Sequence, residues 1–387
     1  MSNIASVSWG DHLVFGEGDG RLDSPESVQR RMLRWREDLG VEMIHWRVPH
    51  AMMAGRYQRA GEYGKNPETR MRIEWNFARL VPEWSHRVGL KAYLYLSIFD
   101  EGWPLPPKKV REVSYHNAMH GQHVAWQSDF SRQHPKYNLV ARDGKIRQWG
   151  VLCLAYPEVR SHLIQRFQRF LGQGAWDGLF LCLRSQSKPP DYADHYGFNQ
   201  PVRDEFNRRF GRDICKQDFD LGSWRDLRGE FLTNFLREVH QVTQRTGIRL
   251  AVGGPRGDIL GPPLGNLRLG WRDWVAEGLV DELVINQNSS RCPSMWHDLW
   301  PMHRGYGYIQ NYLDGHNLPP LMEHLDRDYL PVFAKSDLVR LYVARQWDNR
   351  SPVIEESLLA HEAVSGLVFS TFRFDNPAAV ERGDWGV

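Results

Sequence analysis

Residues 152–183 read LCLAYPEVRSHLIQRFQRFLGQGAWDGLFLCL. Pro157 suits the first helical position, where a missing N–H costs nothing. Val159, Leu163, Phe167 and Leu171 then recur at helical spacing on one face. Glycines close the run, and Gly178–Leu183 follows as a short continuous apolar segment, the pattern of a strand buried on both sides. Helix followed by buried strand is the unit of a parallel sheet.

The same unit recurs along the chain. Strand-like runs fall at Ile4–Trp9, Met43–Val48, Lys91–Ile98, Gly178–Leu183, Arg249–Gly253, Leu283–Asn286, Leu341–Arg345 and Gly366–Phe372. Leu13–Phe15 competes for the first and Tyr306–Tyr312 for the seventh. Between them, Ser24 and Pro25 open a helix carrying Val28, Met32, Trp35 and Leu39, closed by Gly40. A long helix is expected from about Trp224 to Gly247, and a shorter one from Trp271 to Leu279 near Gly278. Eight units predict an α/β chain folded as a (β/α)₈ TIM barrel, one domain over 1–387. A doubly wound open sheet is the rival, weakened because no GxGxxG turn follows a strand. Gly16-Glu17-Gly18-Asp19-Gly20 has the wrong spacing and reads as a turn. Two connections, about 49–67 and 100–150, are long enough to lie over a site at the C-terminal face.

Composition narrows the function. The chain has 387 residues with 49 basic against 47 acidic, so neither a basic tail nor a nucleic-acid surface organises it. No run of about 18 apolar residues is present, which excludes a spanning helix and a membrane partner. The N-terminus lacks a basic segment followed by an apolar one, so a cytoplasmic location is expected, trimming of an exported protein being the alternative. Cys153, Cys182, Cys215 and Cys292 form no CxxC pair, and no HExxH occurs, so neither a metal nor another cofactor is expected. His45 and His50, with His12, and the set His116, His120 and His123 read as hydrogen-bonding or surface histidines. No GxSxG marks a serine nucleophile. Sixteen tryptophans offer flat faces that can fill a core or stack on sugar rings.

In a barrel the chemistry lies at the C-terminal ends of the strands. Those ends carry Asp11 and His12, then His45, Trp46 and Arg47, then Asp100, Glu101 and Trp103. Arg184, Gln287, Arg373 and Asp375 stand at later ends. Carboxylates supply acid, base or nucleophile. Arginines and amides bind hydroxyl and carboxylate oxygens. The mixture predicts a carbohydrate substrate. Glu101 is the expected acid/base, with Asp100 or Asp375 as its partner and Asp11 as a further candidate. Arg47, Arg184, Arg373, Trp46, Trp103, His12, His45 and Gln287 are the expected substrate-binding residues. Three arginines at one mouth suggest an anionic sugar, most simply a uronic acid; the alternative is that they fix the carboxylates. The sequence leaves the oligomeric state open.

The segment Pro157-Glu158-Val159-Arg160, followed by Asp177-Gly178-Leu179, resembles the family-10-like glycosyl hydrolase barrels, in which such a helix precedes a D-G-I-x-x-D strand. Gly197-Phe198-Asn199, Arg209–Ile214 and Asp273–Asp281 continue the likeness. The resemblance implies a (β/α)₈ barrel acting on glycosidic bonds. The chain departs from it at Cys182, where the family pattern has its acidic residue. A non-catalytic carbohydrate-binding barrel is therefore the second reading. A sugar lyase or isomerase, with His45 or a tyrosine as base, is the third.

Overall fold

The computed structural model describes residues 2–7, 25–48, 76–101, 128–183, 194–260, 267–286, 318–345 and 352–370. Eight parallel strands close into a barrel: β1 (Ser2–Val7), β2 (Val41–Arg47), β3 (Lys91–Ser97), β6 (Gly178–Cys182), β7 (Arg249–Gly253), β8 (Glu282–Ile285), β9 (Arg340–Arg345) and β10 (Val364–Ser370). β4 (Asn138–Val140) and β5 (Arg147–Leu152) stand apart as an antiparallel pair. The open-sheet rival is excluded because β1 pairs with both β2 and β10. The barrel strands lie within two residues of the expected runs wherever both ends are described. Leu13–Phe15 and Tyr306–Tyr312 lie outside the described residues.

Helices α1 (Pro25–Leu39), α2 (Phe77–Arg87), α4 (Pro157–Leu171), α5 (Gln200–Phe210), α6 (Leu221–Thr246), α7 (Trp271–Ala276) and α10 (Pro352–Ala360) alternate with the strands. Their ends follow the sequence signals. Gly40, Gly211 and Gly247 end α1, α5 and α6 with φ of 60°, 65° and 68°, the left-handed turn that glycine adopts without strain. Asp220 caps α6 by accepting from Ser223 N at 2.6 Å. Before β9 the helix is broken: α8 (Leu321–His324) and α9 (Leu330–Phe333) flank a π turn at Leu325–Tyr329.

Strand alternation sorts the core into two compartments. Ile4, Met43, Tyr93, Tyr95, Phe180, Cys182, Ala251, Val284, Tyr342, Ala344 and Val368 fill the barrel. Ala5, Ile44, Trp46, Leu94, Leu179, Val252 and their neighbours pack against the helices. At the N-terminal end of the barrel, Tyr93 Oη donates to Glu282 Oε1 at 2.8 Å, and Arg249 Nε lies 3.3 Å from the same oxygen. Burial, then the Glu282 charge, pushes the Tyr93 hydroxyl far up, and burial pushes the Glu282 carboxyl up. Gly178 makes room for this arrangement: a Cβ there would lie 2.6 Å from the Tyr93 ring.

The described part of the expected long loop at 100–150 carries regular secondary structure. Over 128–152 the chain forms α3 (Asp129–Gln133), a 3₁₀ turn (Pro135–Tyr137) and the β4–β5 hairpin. Asn138, fully buried, ties it together by accepting from Ser131 Oγ at 2.8 Å and from Gly150 N at 3.2 Å. The hairpin is stitched to the end of β3, since Glu101 N donates to Gly150 O and Ser128 N to Glu101 O, both at 2.9 Å. No described helix is long and apolar enough to cross a membrane.

Candidate functional site

One side of the barrel's C-terminal mouth is built by β2, β3 and the turn after β3. Met43, His45 and Arg47 alternate with Ile44 and Trp46, so the first three share one side of β2. His45 faces the barrel interior at mid-height. Its ring is stacked on Phe180 at 4.2 Å and on Tyr93 at 5.5 Å. It is fully buried, and neither ring nitrogen has a hydrogen-bond partner among the described residues. Burial holds its pKa down at about 3, so the imidazole is neutral at physiological pH.

One turn of the pleat higher, Arg47 reaches the mouth. Its guanidinium lies over the Tyr95 ring, 5.4 Å from the centroid, and Nη2 donates to Asp100 Oδ2 at 2.6 Å. Asp100 is fully buried and Arg47 nearly so. For Arg47, expected as a substrate contact, the structure thus forms the alternative, a strand-end arginine paired with a strand-end carboxylate between the ends of β2 and β3. The pair lies beyond the C-terminal ends of β2 and β3, the end of the barrel where barrel enzymes act, with both side chains buried.

Glu101 turns the other way. Its Oε1 accepts from Arg166 Nη1 of α4, outside the barrel. It is fully buried, and Oε2 has no partner among the described residues. His162, one turn before Arg166, stacks on Phe130 of α3 at 3.8 Å. Burial brings His162 down to about 4 against an opposing pull from Glu101. Glu101 therefore joins the hairpin, α4 and β3 in one buried polar joint. Adjacency in sequence suggested two carboxylates at the mouth; the turn after β3 sends them to opposite sides.

Two expectations need correction. Trp46 is not a stacking platform. It is fully buried in the layer between barrel and helices, because its parity in β2 is opposite to that of Arg47. His45 is not at the mouth either: its ring lies inside the barrel, stacked between Tyr93 and Phe180. A lyase or isomerase using His45 as base loses its support. Asp11, His12, Trp103, Arg184, Gln287, Arg373 and Asp375 lie outside the described residues. Cys182, at the position of the family's acid, is a fully buried thiol at the top of β6, level with Ser97 and Gly253. Among the described residues, no group of three or more His, Cys, Asp or Glu side chains could hold a metal ion.

Two further groups lie on the same face, a strand-end arginine legible in the sequence and a histidine that carried no signal there. Arg256, three residues past the end of β7, and His324 of α8 are brought together by the docking of the β7 loop on the broken helix. Lone residues of these types, 68 positions apart, carry no motif.

No family model and no curated protein sequence matches the chain. Among solved structures it is similar to the PgaB (BpsB) glycoside hydrolase domain from Bordetella bronchiseptica, with a TM-score of 0.52 at 11% identity, over 99% of this chain and 98% of that one. It also aligns at a TM-score of 0.45 and 11% identity with the GH36 alpha-galactosidase AgaA from Geobacillus stearothermophilus in complex with raffinose, over 99% of this chain and 40% of that one. Against the maltogenic alpha-amylase AmyB from Thermotoga neapolitana the values are 0.46 and 9%, over 96% and 68%. At these identities the likeness is one of fold: the chain has the closed (β/α)₈ barrel found in the PgaB glycoside hydrolase domain.

Proposed function

We propose that the chain is a glycoside hydrolase acting on an oligo- or polysaccharide that carries negative charge, most simply a uronic acid, with residues 1–387 working as one barrel unit. The observation that carries the hydrolase reading is the buried Arg47–Asp100 pair at the C-terminal mouth; because it engages Arg47 with a carboxylate of the chain itself, the negative charge of the substrate is proposed from Arg184 and Arg373 alone. Removing an ion pair from water costs several kcal/mol per ion, and apolar residues of similar volume would serve stability as well or better. A buried pair on the catalytic face is better explained by chemistry. Arg47 orients Asp100, leaving the carboxylate to serve as acid, base or nucleophile. Asp375 or Asp11 is the proposed partner; a separation of about 5–5.5 Å would mean retention and about 6.5–9.5 Å inversion. Glu101, anchored to Arg166, holds the turn that carries Asp100. Trp103, Arg184, Arg373, His12 and Gln287 remain proposed substrate contacts. The helix and strand at 157–182 are the basis for including a family-10-like ancestry in the proposal.

The test is turnover of a panel of chromogenic glycosides, uronides and neutral sugars together. Asp100→Asn should lower kcat by about 10²–10⁴ with folding intact. Full activity in that variant, or no turnover of any glycoside by the native protein, overturns the reading. A second reading, a carbohydrate-binding barrel without activity, is favoured by the thiol of Cys182. It requires oligosaccharide binding without turnover.

A further inference from the structure

The loop that leaves β7 rests on the broken helix α8–α9, and a cation there has no counter-ion among the described residues. Arg256 is half-buried and makes one hydrogen bond within them, from Nη1 to Pro319 O at 2.8 Å. No described carboxylate reaches it, and burial lowers its pKa. An arginine stays charged in such surroundings, so the guanidinium keeps unused donors in a partly dried position.

The nearby carboxylates are already engaged. Asp258 Oδ1 accepts from Trp271 Nε1 at 2.8 Å and from Arg272 Nη1 at 2.5 Å. Asp328 takes Arg272 at 3.3 Å and Arg327 at 2.8 Å, and lies 3.4 Å from His324 Nε2. The other nitrogen of His324, Nδ1, is buried without a partner among the described residues, in a residue only 4% exposed. Arg256 lies close enough to act on the His324 charge; burial, then Arg256, holds that imidazole below its usual pKa.

The surroundings are rigid. Gly257 follows Arg256 with φ of 85°, and a Cβ on it would stand 3.1 Å from Leu318 and 3.7 Å from His324 Cε1. The glycine thus lets the loop backbone lie on the histidine ring. Gly257 N donates to Tyr329 Oη at 2.9 Å, and Tyr329 stacks on Trp271 at 4.5 Å. Arg256 and His324 are therefore held by a packed frame on both the loop and the helix.

We propose that Arg256 and His324 form an oxyanion subsite on the C-terminal face, taking the carboxylate of a uronic acid or the sulfate ester of a glycan. A glycan as bearer of the anion rests on the reading of the protein as a glycoside hydrolase; the subsite itself does not. A bound oxyanion supplies the counter-ion that Arg256 lacks among the described residues, through the planar fork of its donors. It also draws a proton onto His324, which then donates from Nδ1 to the anion while Nε2 faces Asp328.

The experiment measures binding of sodium sulfate and sodium glucuronate, with glucose as neutral control and ionic strength held constant with sodium chloride. Calorimetry gives affinity, and the ¹⁵N signals of the His324 ring report its protonation. The native protein should bind at least one probe, with His324 taking up a proton, and Arg256→Gln should weaken that binding about tenfold or more. Arg256→Lys should keep part of it, and His324→Gln should weaken it as well. Sulfate alone assigns the sulfate ester, glucuronate alone assigns the uronate, and both assign a general oxyanion site. Binding of neither, or equal binding by Arg256→Gln, overturns the proposal. Where Arg256→Gln does not fold, Arg256→Lys and His324→Gln decide by the same criterion, equal binding by both being the contrary result. Asp100→Asn should bind the probes as the native protein does. Absence of glycoside turnover with intact probe binding removes the hydrolase reading and leaves the subsite.

Discussion

Replacing Arg166 by methionine tests the division of labour between the two carboxylates after β3. In the native protein the Glu101 carboxylate has zero exposure and Arg166 has 5%, and among the described residues the bond between them is the one hydrogen bond of the Glu101 side chain. Removing the guanidinium strands a buried carboxylate with both oxygens unsatisfied. Breaking a buried pair in this way costs about 3–5 kcal/mol. At about 2.1 cal/mol/K per residue, 387 residues give an unfolding entropy near 0.8 kcal/mol/K. The melting temperature should therefore fall by about 4–6 °C, read by calorimetry and by far-UV circular dichroism. In Glu101→Leu combined with Arg166→Met the stranded charge is gone, and stability should return to within about 1–2 kcal/mol of native. Turnover should survive in the double variant, because Asp100 and Arg47 are untouched. A melting temperature for Arg166→Met within a degree of native would mean that the pair is not what holds this joint. Complete loss of turnover in a stable double variant would return the acid/base role to Glu101.

Trp46→Ala should destabilise by about 3–5 kcal/mol while leaving the KM of residual folded enzyme unchanged; a selective rise in KM would put the indole back at the mouth. Acid should weaken the fold through His45. Its folded pKa of about 3 lies below the ordinary 6.5, so its contribution is complete above pH 6.5 and is lost as pH falls towards 3. Denaturant midpoints for His45→Phe should accordingly vary less over that window than those of the native protein, and an unchanged slope would count against the buried neutral imidazole. Gly366→Ala would drive a Cβ to 2.0 Å from the Ser2 carbonyl oxygen, where β10 closes on β1. A loss of about 3 kcal/mol or more is expected, and a soluble variant with native melting temperature would contradict the closure register.

The barrel was legible because its two signals are local. Strand-like runs of four to eight residues and glycine-closed helices can be read from a few neighbours, and β7 falls on the expected Arg249–Gly253 run. The β4–β5 hairpin was not. β4 has three residues, and its stability comes from Asn138 and from Asn199, which accepts from Val140 N at 3.2 Å across 59 positions. At the site, the placement of Arg47 and Asp100 at strand ends was legible, but their union was one of two readings left open. The exclusion of Trp46 was also readable, since residues 45, 46 and 47 cannot all face inward. What the sequence hid was the turn at 100–101, whose two side chains diverge, and the meeting of Arg256 with His324. Both depend on how separate segments dock, and no spacing rule reports that.

The π turn at Leu325–Tyr329 has a genealogical consequence. A π turn amounts to an α-helix that has accepted one extra residue. Deleting a single codon within 325–329 would restore regular winding and rotate α8 by about 100° relative to α9. His324 would then swing away from the frame set by Tyr329 and Trp271, although every side chain of the subsite would still be encoded. Relatives of this chain can therefore be divided by the presence or absence of one residue in that helix, and only the lineages that keep the insertion should retain the arginine at 256.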